Sequence, residues 1–250
     1  MNEWLDDLRT ATAFLTRLPM PHPDGASPAN FVRAHRLFPA VGAAIGGLVG
    51  LVCLALRALG VPGLASSALA LGAGAVLTGA LHEDGLADVG DGFGGGRDAA
   101  AKLEIMRDSR LGTYGALTLL VSFVAKMSAL AALPNRSVVP GLIAAHALAR
   151  GVLPAMAMSL AYARKDGLAA HAGRPDFGVA ATAAALAFVV AWLALPFTLA
   201  LGAALAAIAS ALGMGLLAQR QIGGQTGDVL GGAEQVAETA ILVLLAARLA

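Results

Sequence analysis

Four carboxylates fall within nine residues of the 250-residue chain: Glu83, Asp84, Asp88 and Asp91, in the run H-E-D-G-L-A-D-V-G-D-G that begins at His82. Asp84, Asp88 and Asp91 are spaced i, i+4 and i+7, so one helix sets all three on a single face with Glu83 beside them. Left bare, they repel one another. A hard divalent cation removes that repulsion, and oxygen ligands of this kind suit Mg²⁺, which takes one or two carboxylates and completes its shell with water and phosphate oxygens. The plainer reading is a solvated acidic loop paired with its own Lys and Arg. The interleaved Gly85, Gly90 and Gly92, and a position at the end of a long apolar run, favour the metal.

Downstream, Gly94, Gly95 and Gly96 predict a flexible hinge whose N–H groups approach an anion, and Lys102, Arg107 and Arg110 add three cations. Arginine suits two-pronged phosphate contacts; anchoring at a membrane surface is the competing role for all three. A second polar cluster, from Gly223 to Glu238, sets Asp228 in a glycine-rich turn and Glu234 and Glu238 one helical turn apart. Two carboxylates entering an apolar segment are costly unless paired or bound to a cation, although acidic residues also stabilise a helix N-terminus. His146 and Arg150 share a helix face at i and i+4, and Lys126 lies in the apolar run before them. Ionisable groups at such depth face the interior or a wet cavity, so these three either reach toward phosphates or pair with one another, and Lys126 has the further option of snorkelling to an interface. His22, His35 and His171 lack metal-ligand spacing.

These residues need elements to hold them, and composition says what kind. With 58% hydrophobic residues, 13% charged and a mean hydropathy of +0.74, the chain is far more apolar than a soluble domain, where about 25% charged is usual. That predicts an integral membrane protein. A net charge of +1 excludes a broad polyanion-binding surface and with it nucleic acid. Cys53, the one cysteine, sits in an apolar run and reads as packing. The acidic start M-N-E-W-L-D-D-L-R lacks the order of a signal peptide.

In residues 1–36, Trp4, Leu5, Leu8, Ala11, Thr12 and Leu15 recur at helical spacing and predict an amphipathic helix on the membrane surface, stopped by Pro19, Pro21 and Pro23. Apolar runs then predict seven spans: Leu37–Leu56, Leu64–Leu81, Leu111–Leu133, Ser137–Ala163, two within Phe177–Gln219 divided at Pro196, and Ala233–Ala250. The expected fold is an all-α polytopic bundle forming a single domain, with the polar runs 82–112 and 218–238 as its chemical face. Twelve loop Lys and Arg fall on the N-terminal side of this topology, and Arg136 is the one assigned to the other side; the positive-inside rule makes the first side cytoplasmic. All 16 Asp and Glu lie there too.

Taken together, F-L-T-R-L-P at Phe14, R-L-F-P-A-V-G at Arg36, H-E-D-G-L-A-D-V-G-D-G at His82, L-E-I-M-R-D-S-R-L-G-T-Y-G at Leu103 and Q-T-G-D-V-L-G-G-A-E at Gln225 resemble the cobalamin synthase, or adenosylcobinamide-GDP ribazoletransferase, family. The resemblance implies a multi-pass enzyme of the inner membrane with its active face in the cytoplasm. It further implies Mg²⁺-dependent joining of adenosylcobinamide-GDP to α-ribazole or its 5′-phosphate with release of GMP. The family commonly reads H-x-D-G-L-A-D, onto which His82, Asp84 and Asp88 fall, so Glu83 is the weakest of the four metal candidates. On this reading Glu83, Asp84, Asp88 and Asp91 hold the metal, with Asp228 or Glu234 completing the site or accepting a proton. Lys102, Arg107, Arg110, Arg150 and Gln225 bind phosphate. Membrane lipid is the expected surrounding partner, and a homo-oligomer is compatible with it. A CDP-alcohol phosphotransferase also uses an Asp cluster beginning D-G, but Asp88 stands where that pattern has Arg. An ion transporter would set its charges near the midplane of matching halves.

Overall fold

A computed structural model describes residues 3–21, 27–164 and 173–249; His22, Pro23, Lys165 and His171 lie outside the described residues. The chain folds into helices α1 (Glu3–Leu15), α2 (Pro28–Ala34), α3 (Phe38–Ala58), α4 (Gly63–Thr78), α5 (Leu81–Gly95) and α6 (Ala99–Ile105), followed by α7 (Thr113–Ala132), α8 (Asn135–Gly151), α9 (Leu153–Ser159), α10 (Phe177–Ala194), α11 (Phe197–Ile222) and α12 (Gly227–Leu249). Among the described residues, six stretches are long and apolar enough to cross a membrane: Pro28–Ala58, Thr113–Ala132, Asn135–Ser159, Phe177–Ala194, Phe197–Ile222 and Gly227–Leu249. The polytopic helical bundle is therefore the architecture expected from the apolar runs. Proline and glycine divide it as those residues should: Pro62 and Gly63 open α4, and Pro196 separates α10 from α11.

The seventh expected span is bent. α4 and α5 reach spanning length only as a pair, and they meet at 95°. Gly79 and Ala80 make the corner with left-handed backbone, φ 69° and 55°. Carboxylates at the density found on α5 are excluded from an apolar layer, so α4 is the arm that enters it and α5 turns out across the end of the bundle. The backbone N–H of Arg17 donates to the Leu77 carbonyl at 2.8 Å, tying the segment after α1 to this corner.

The most intimate helix pair is α3 with α8, where small residues let two backbones touch, as helices in lipid require. A Cβ added at Gly46 would lie 2.3 Å from the Leu142 carbonyl oxygen, and one at Gly42 would lie 2.4 Å from that of His146. Gly46→Ala is therefore expected to force the helices apart and cost about 1–3 kcal/mol, measured as a lower Tm of the purified protein. An unchanged Tm would mean that the pair separates freely.

Several expectations change in detail. The N-terminal segment forms two helices, α1 and α2, and α1 is held to the bundle: buried Asp7 lies 3.0 Å from Arg33 Nε and 2.7 Å from Arg36 Nη2. Trp4 carries the Arg36 guanidinium 3.7 Å from its ring centre. Gly94 and Gly95 are not a hinge. They lie inside α5, and a Cβ at Gly94 would meet the Tyr114 ring at 2.5 Å, so close packing accounts for that residue. The last helix begins at Gly227 rather than at 233, which moves Glu234 and Glu238 from its mouth to about two and three turns beyond its start. Arg57 in the last turn of α3 joins Arg136 on the opposite side, donating to the Leu130 and Leu133 carbonyls and to Asn135 Oδ1 at 2.7, 2.9 and 2.9 Å.

Candidate active site

The corner at Gly79 and Ala80 points α5 across the first turn of α12. The two helices meet at glycine: a Cβ at Gly85 would stand 2.9 Å from the Asp228 carbonyl oxygen, and one at Gly231 would stand 3.3 Å from His82 Cα. Beneath them, Val89, Met106, Met214, Ala218, Ile222, Val229 and Ala233 form one apolar cluster that fixes α5 against α11 and α12. This contact brings Asp228 to Asp84 and Asp88, 144 and 140 residues away in sequence.

The three carboxylates act on one another. Partial burial is the largest influence on Asp88, followed by the negative charges of Asp228, Asp84 and Asp91; together they push its carboxyl up to about 7. The Arg164 charge opposes them. Arg164 Nη2 donates to Asp228 Oδ2 at 3.2 Å, and Thr226 Oγ1 donates to the same oxygen at 3.1 Å. Thr226 Oγ1 also accepts from the Val229 N–H at 3.2 Å, so it caps the start of α12 while steering Asp228.

The other two metal candidates have different partners. Asp91 accepts the N–H groups of Gly112 and Gly115 at 2.7 and 2.8 Å, one on each oxygen. Free amides at a helix start attract a carboxylate, and Asp91 holds the beginning of α7. Glu83 turns to the inner side of α5, where it lines a cavity of about 20 Å³ with Lys126, His146, Arg150 and Glu238.

Behind α5 the bundle contains a buried ionic lattice. Glu234, fully buried, has Arg150 Nη1 2.5 Å from one oxygen, with His82 Nδ1 3.3 Å and Gln235 Nε2 3.0 Å from the other. Glu238 has Lys126 Nζ 3.2 Å from Oε1 and His146 Nδ1 3.2 Å from Oε2, with Arg150 Nη1 at 4.0 Å. Lys126 also donates to Gln235 Oε1 at 2.6 Å. Two carboxylates thus face two fixed cations, the pairing that buried charges require. His146, Glu234 and Glu238 place ligand atoms within 4.8 Å of one another, but Arg150 and Lys126 already supply positive charge there. The lattice is ion-paired rather than a metal centre.

The structure places three of the expected site residues away from the aspartate cluster. Glu234 neither completes the aspartate cluster nor meets solvent, and Arg150 is spent on it rather than on phosphate. Gln225, also expected at phosphate, is buried: its Nε2 donates to the carbonyls of Ala157 and Leu160 at 2.8 and 3.2 Å, and its backbone exchanges hydrogen bonds with Ala161 and Ala163. It fastens the segment after α9 to the start of α12. Among the expected phosphate cations, Lys102 Nζ donates to Gln221 Oε1. Arg107 is exposed after α6. Exposed Arg110 grips Asp108 with Nε and Nη2, holding that carboxyl at about 2. Sequence reading passed over Arg164 and Thr226. Thr226, two residues before Asp228 at a helix start, carried a capping signal that was there to be read; Arg164 carried none beyond its charge.

Residues 7–246 match the profile of the cobalamin-5-phosphate synthase family. A protein of Bradyrhizobium diazoefficiens, called adenosylcobinamide-GDP ribazoletransferase, is 45% identical over 246 residues, covering 96% of this chain and 93% of its own. Relatives of the same name from a Sinorhizobium species and from Azorhizobium caulinodans are 42% and 41% identical; each alignment covers 98% of this chain, and 98% and 97% of the relatives. No solved structure matches the chain. With the match running through every helix of the bundle, the chain belongs to the cobalamin-5-phosphate synthase family.

Proposed function

We propose that the chain is an adenosylcobinamide-GDP ribazoletransferase, joining adenosylcobinamide-GDP to α-ribazole or α-ribazole 5′-phosphate with release of GMP. One observation carries the reading: Asp84, Asp88 and Asp228 meet beside Arg164 where α5 leaves the apolar helices. The reaction forms a P–O bond from a ribose hydroxyl to the phosphorus bearing the cobinamide and breaks the bond from that phosphorus to GMP. It asks little covalent work of a protein and much positioning and charge compensation.

Asp84 and Asp88 suit Mg²⁺: they are hard oxygen donors on one helix face, where partial burial and then the neighbouring negative charges make Asp88 resist ionisation, and a divalent cation offsets both. Bound there, Mg²⁺ supplies positive charge to the phosphate oxygens. Asp228, at the mouth, takes the hydroxyl proton in place of Glu234, which the lattice holds out of reach. Glu83, on the inner flank, links α5 to the lattice side of the bundle.

The test is GMP release by the purified full-length chain in lipid nanodiscs, given adenosylcobinamide-GDP and α-ribazole. GMP should appear with Mg²⁺ and vanish on chelation; no GMP with either α-ribazole or its phosphate would overturn the reading.

The inner membrane, with the aspartates facing the cytoplasm, is the location that loop charge supports: the sequence sets twelve loop Lys and Arg on the aspartate side against Arg57, Arg136 and Arg248 on the other. Reporter fusions at Val61, Asn135 and Pro196 should all read periplasmic. A cytoplasmic signal at any of them would reverse or break this topology.

A further inference from the structure

The chain places an arginine inside the carboxylate cluster, and its bonding there is incomplete. Arg164 Nη2 makes a single hydrogen bond to Asp228, while its Nη1 is buried and has no hydrogen-bond partner among the described residues. A guanidinium with one nitrogen engaged and another shielded from water and unused is set for a second acceptor. Its mounting is firm. Ala161 and Ala163, just before it, are bonded on both sides to Gln225: the Gln225 N–H donates to the Ala161 carbonyl at 2.7 Å, and the Ala163 N–H donates to the Gln225 carbonyl at 2.9 Å. Gly224 allows that approach, since a Cβ there would lie 2.2 Å from the Ala161 oxygen. By contrast Arg110, one of the arginines that sequence favours, is exposed and already grips Asp108 two residues away.

Building on the ribazoletransferase reading, we propose that Arg164 is a diphosphate ligand that changes partners. Without substrate it rests on Asp228 as a stand-in cation among the aspartates. When the diphosphate arrives, the guanidinium turns its N–H groups to the phosphate oxygens, and Asp228 is released to accept the ribose proton. Arginine binds phosphate oxygens through a planar fork that lysine lacks, so charge and geometry can be separated by substitution.

The experiment uses the full-length chain in nanodiscs, with two probes: Mn²⁺, followed by electron paramagnetic resonance, for the metal site, and GDP in the presence of Mg²⁺ for the diphosphate site. Arg164→Ala should weaken GDP binding by about tenfold or more, the worth of a charged hydrogen bond. It should also tighten Mn²⁺ binding by about fivefold, because one repelling charge is gone. Arg164→Lys should leave Mn²⁺ binding near wild type yet still weaken GDP, and it carries the test should the Ala variant not fold. Arg110→Ala should move neither. If both Arg164 variants bind GDP and Mn²⁺ as the wild type does while Asp84→Asn loses Mn²⁺, the arginine's role falls and the metal assignment stands. If Asp84→Asn keeps Mn²⁺ binding, the metal assignment itself falls, and this inference with it.

Discussion

Asp84→Asn and Asp88→Asn are each expected to lose on the order of 10² or more in kcat, as removal of one preorganised electrostatic group commonly does, while the protein inserts and folds as before. Asn keeps the shape and one oxygen of Asp and removes its charge. Asp84 is exposed and Asp88 half-buried at the rim of the bundle, so neither side chain supports packing whose loss would unfold the protein. For Asp88 the stability effect has a definite sign. Its carboxyl is raised from 3.8 to about 7 in the folded chain, so the unfolded chain releases that proton first. Folding is then progressively penalised as pH rises from about 4 to about 7. Metal-free Asp88→Asn, which has no such titration, should melt above the wild type at pH 8 and alongside it at pH 4. Added Mg²⁺ should raise the Tm of the wild type more than that of the variant, since ligand binding stabilises only a chain that holds it. Turnover near wild type at unchanged Mg²⁺ dependence would remove both residues from the metal site.

Glu234→Ala should be among the most damaging single changes in the molecule, and for a reason unrelated to catalysis. It strips the carboxylate from Arg150, which is 2% exposed and has its next acceptor carboxylate, Glu238, at 4.0 Å. Breaking a buried pair in this way costs about 3–5 kcal/mol, visible as a large fall in Tm and in the yield of folded protein. The discriminating measurement is the double variant Glu234→Leu with Arg150→Met, which removes both charges. It should recover most of the lost stability, since an apolar pair of similar volume often replaces a buried ion pair at little cost. If the double variant is no more stable than Glu234→Ala, the two residues are not coupled as drawn.

The helices were legible because apolar runs of spanning length leave few alternatives, and because Pro196 and the Val61–Gly63 turn punctuate them. The aspartates on α5 were legible because a spacing of i, i+4 and i+7 is local information. What escaped was whatever depends on a distant partner. Nothing near Asp91 in sequence says that Gly112 and Gly115 will present their amides to it, and nothing near Glu234 says that Arg150 and His82 will. The sequence predicts the last helix six residues late because the polar residues at its beginning look like loop until their partners are known. The place of Gln225 is hidden from the sequence for the same reason: its fixed bonds to Ala157, Leu160 and Ala161 come from a segment more than sixty residues earlier.

The buried ionic lattice also dictates an order of manufacture. Lys126 reaches its acceptors Gln235 and Glu238 across 109 and 112 residues of chain, and Arg150 waits for Glu234. A growing chain must therefore hand two positively charged helices to the membrane well before their counter-charges have been synthesised. Until α12 emerges, the cations of α7 and α8 have Glu83 of α5 as the one carboxylate already made that lines their cavity. The final helix is thus the latch of biogenesis: a chain that stops before Gly227 lacks the two carboxylates that pair with Arg150 and Lys126 in its interior.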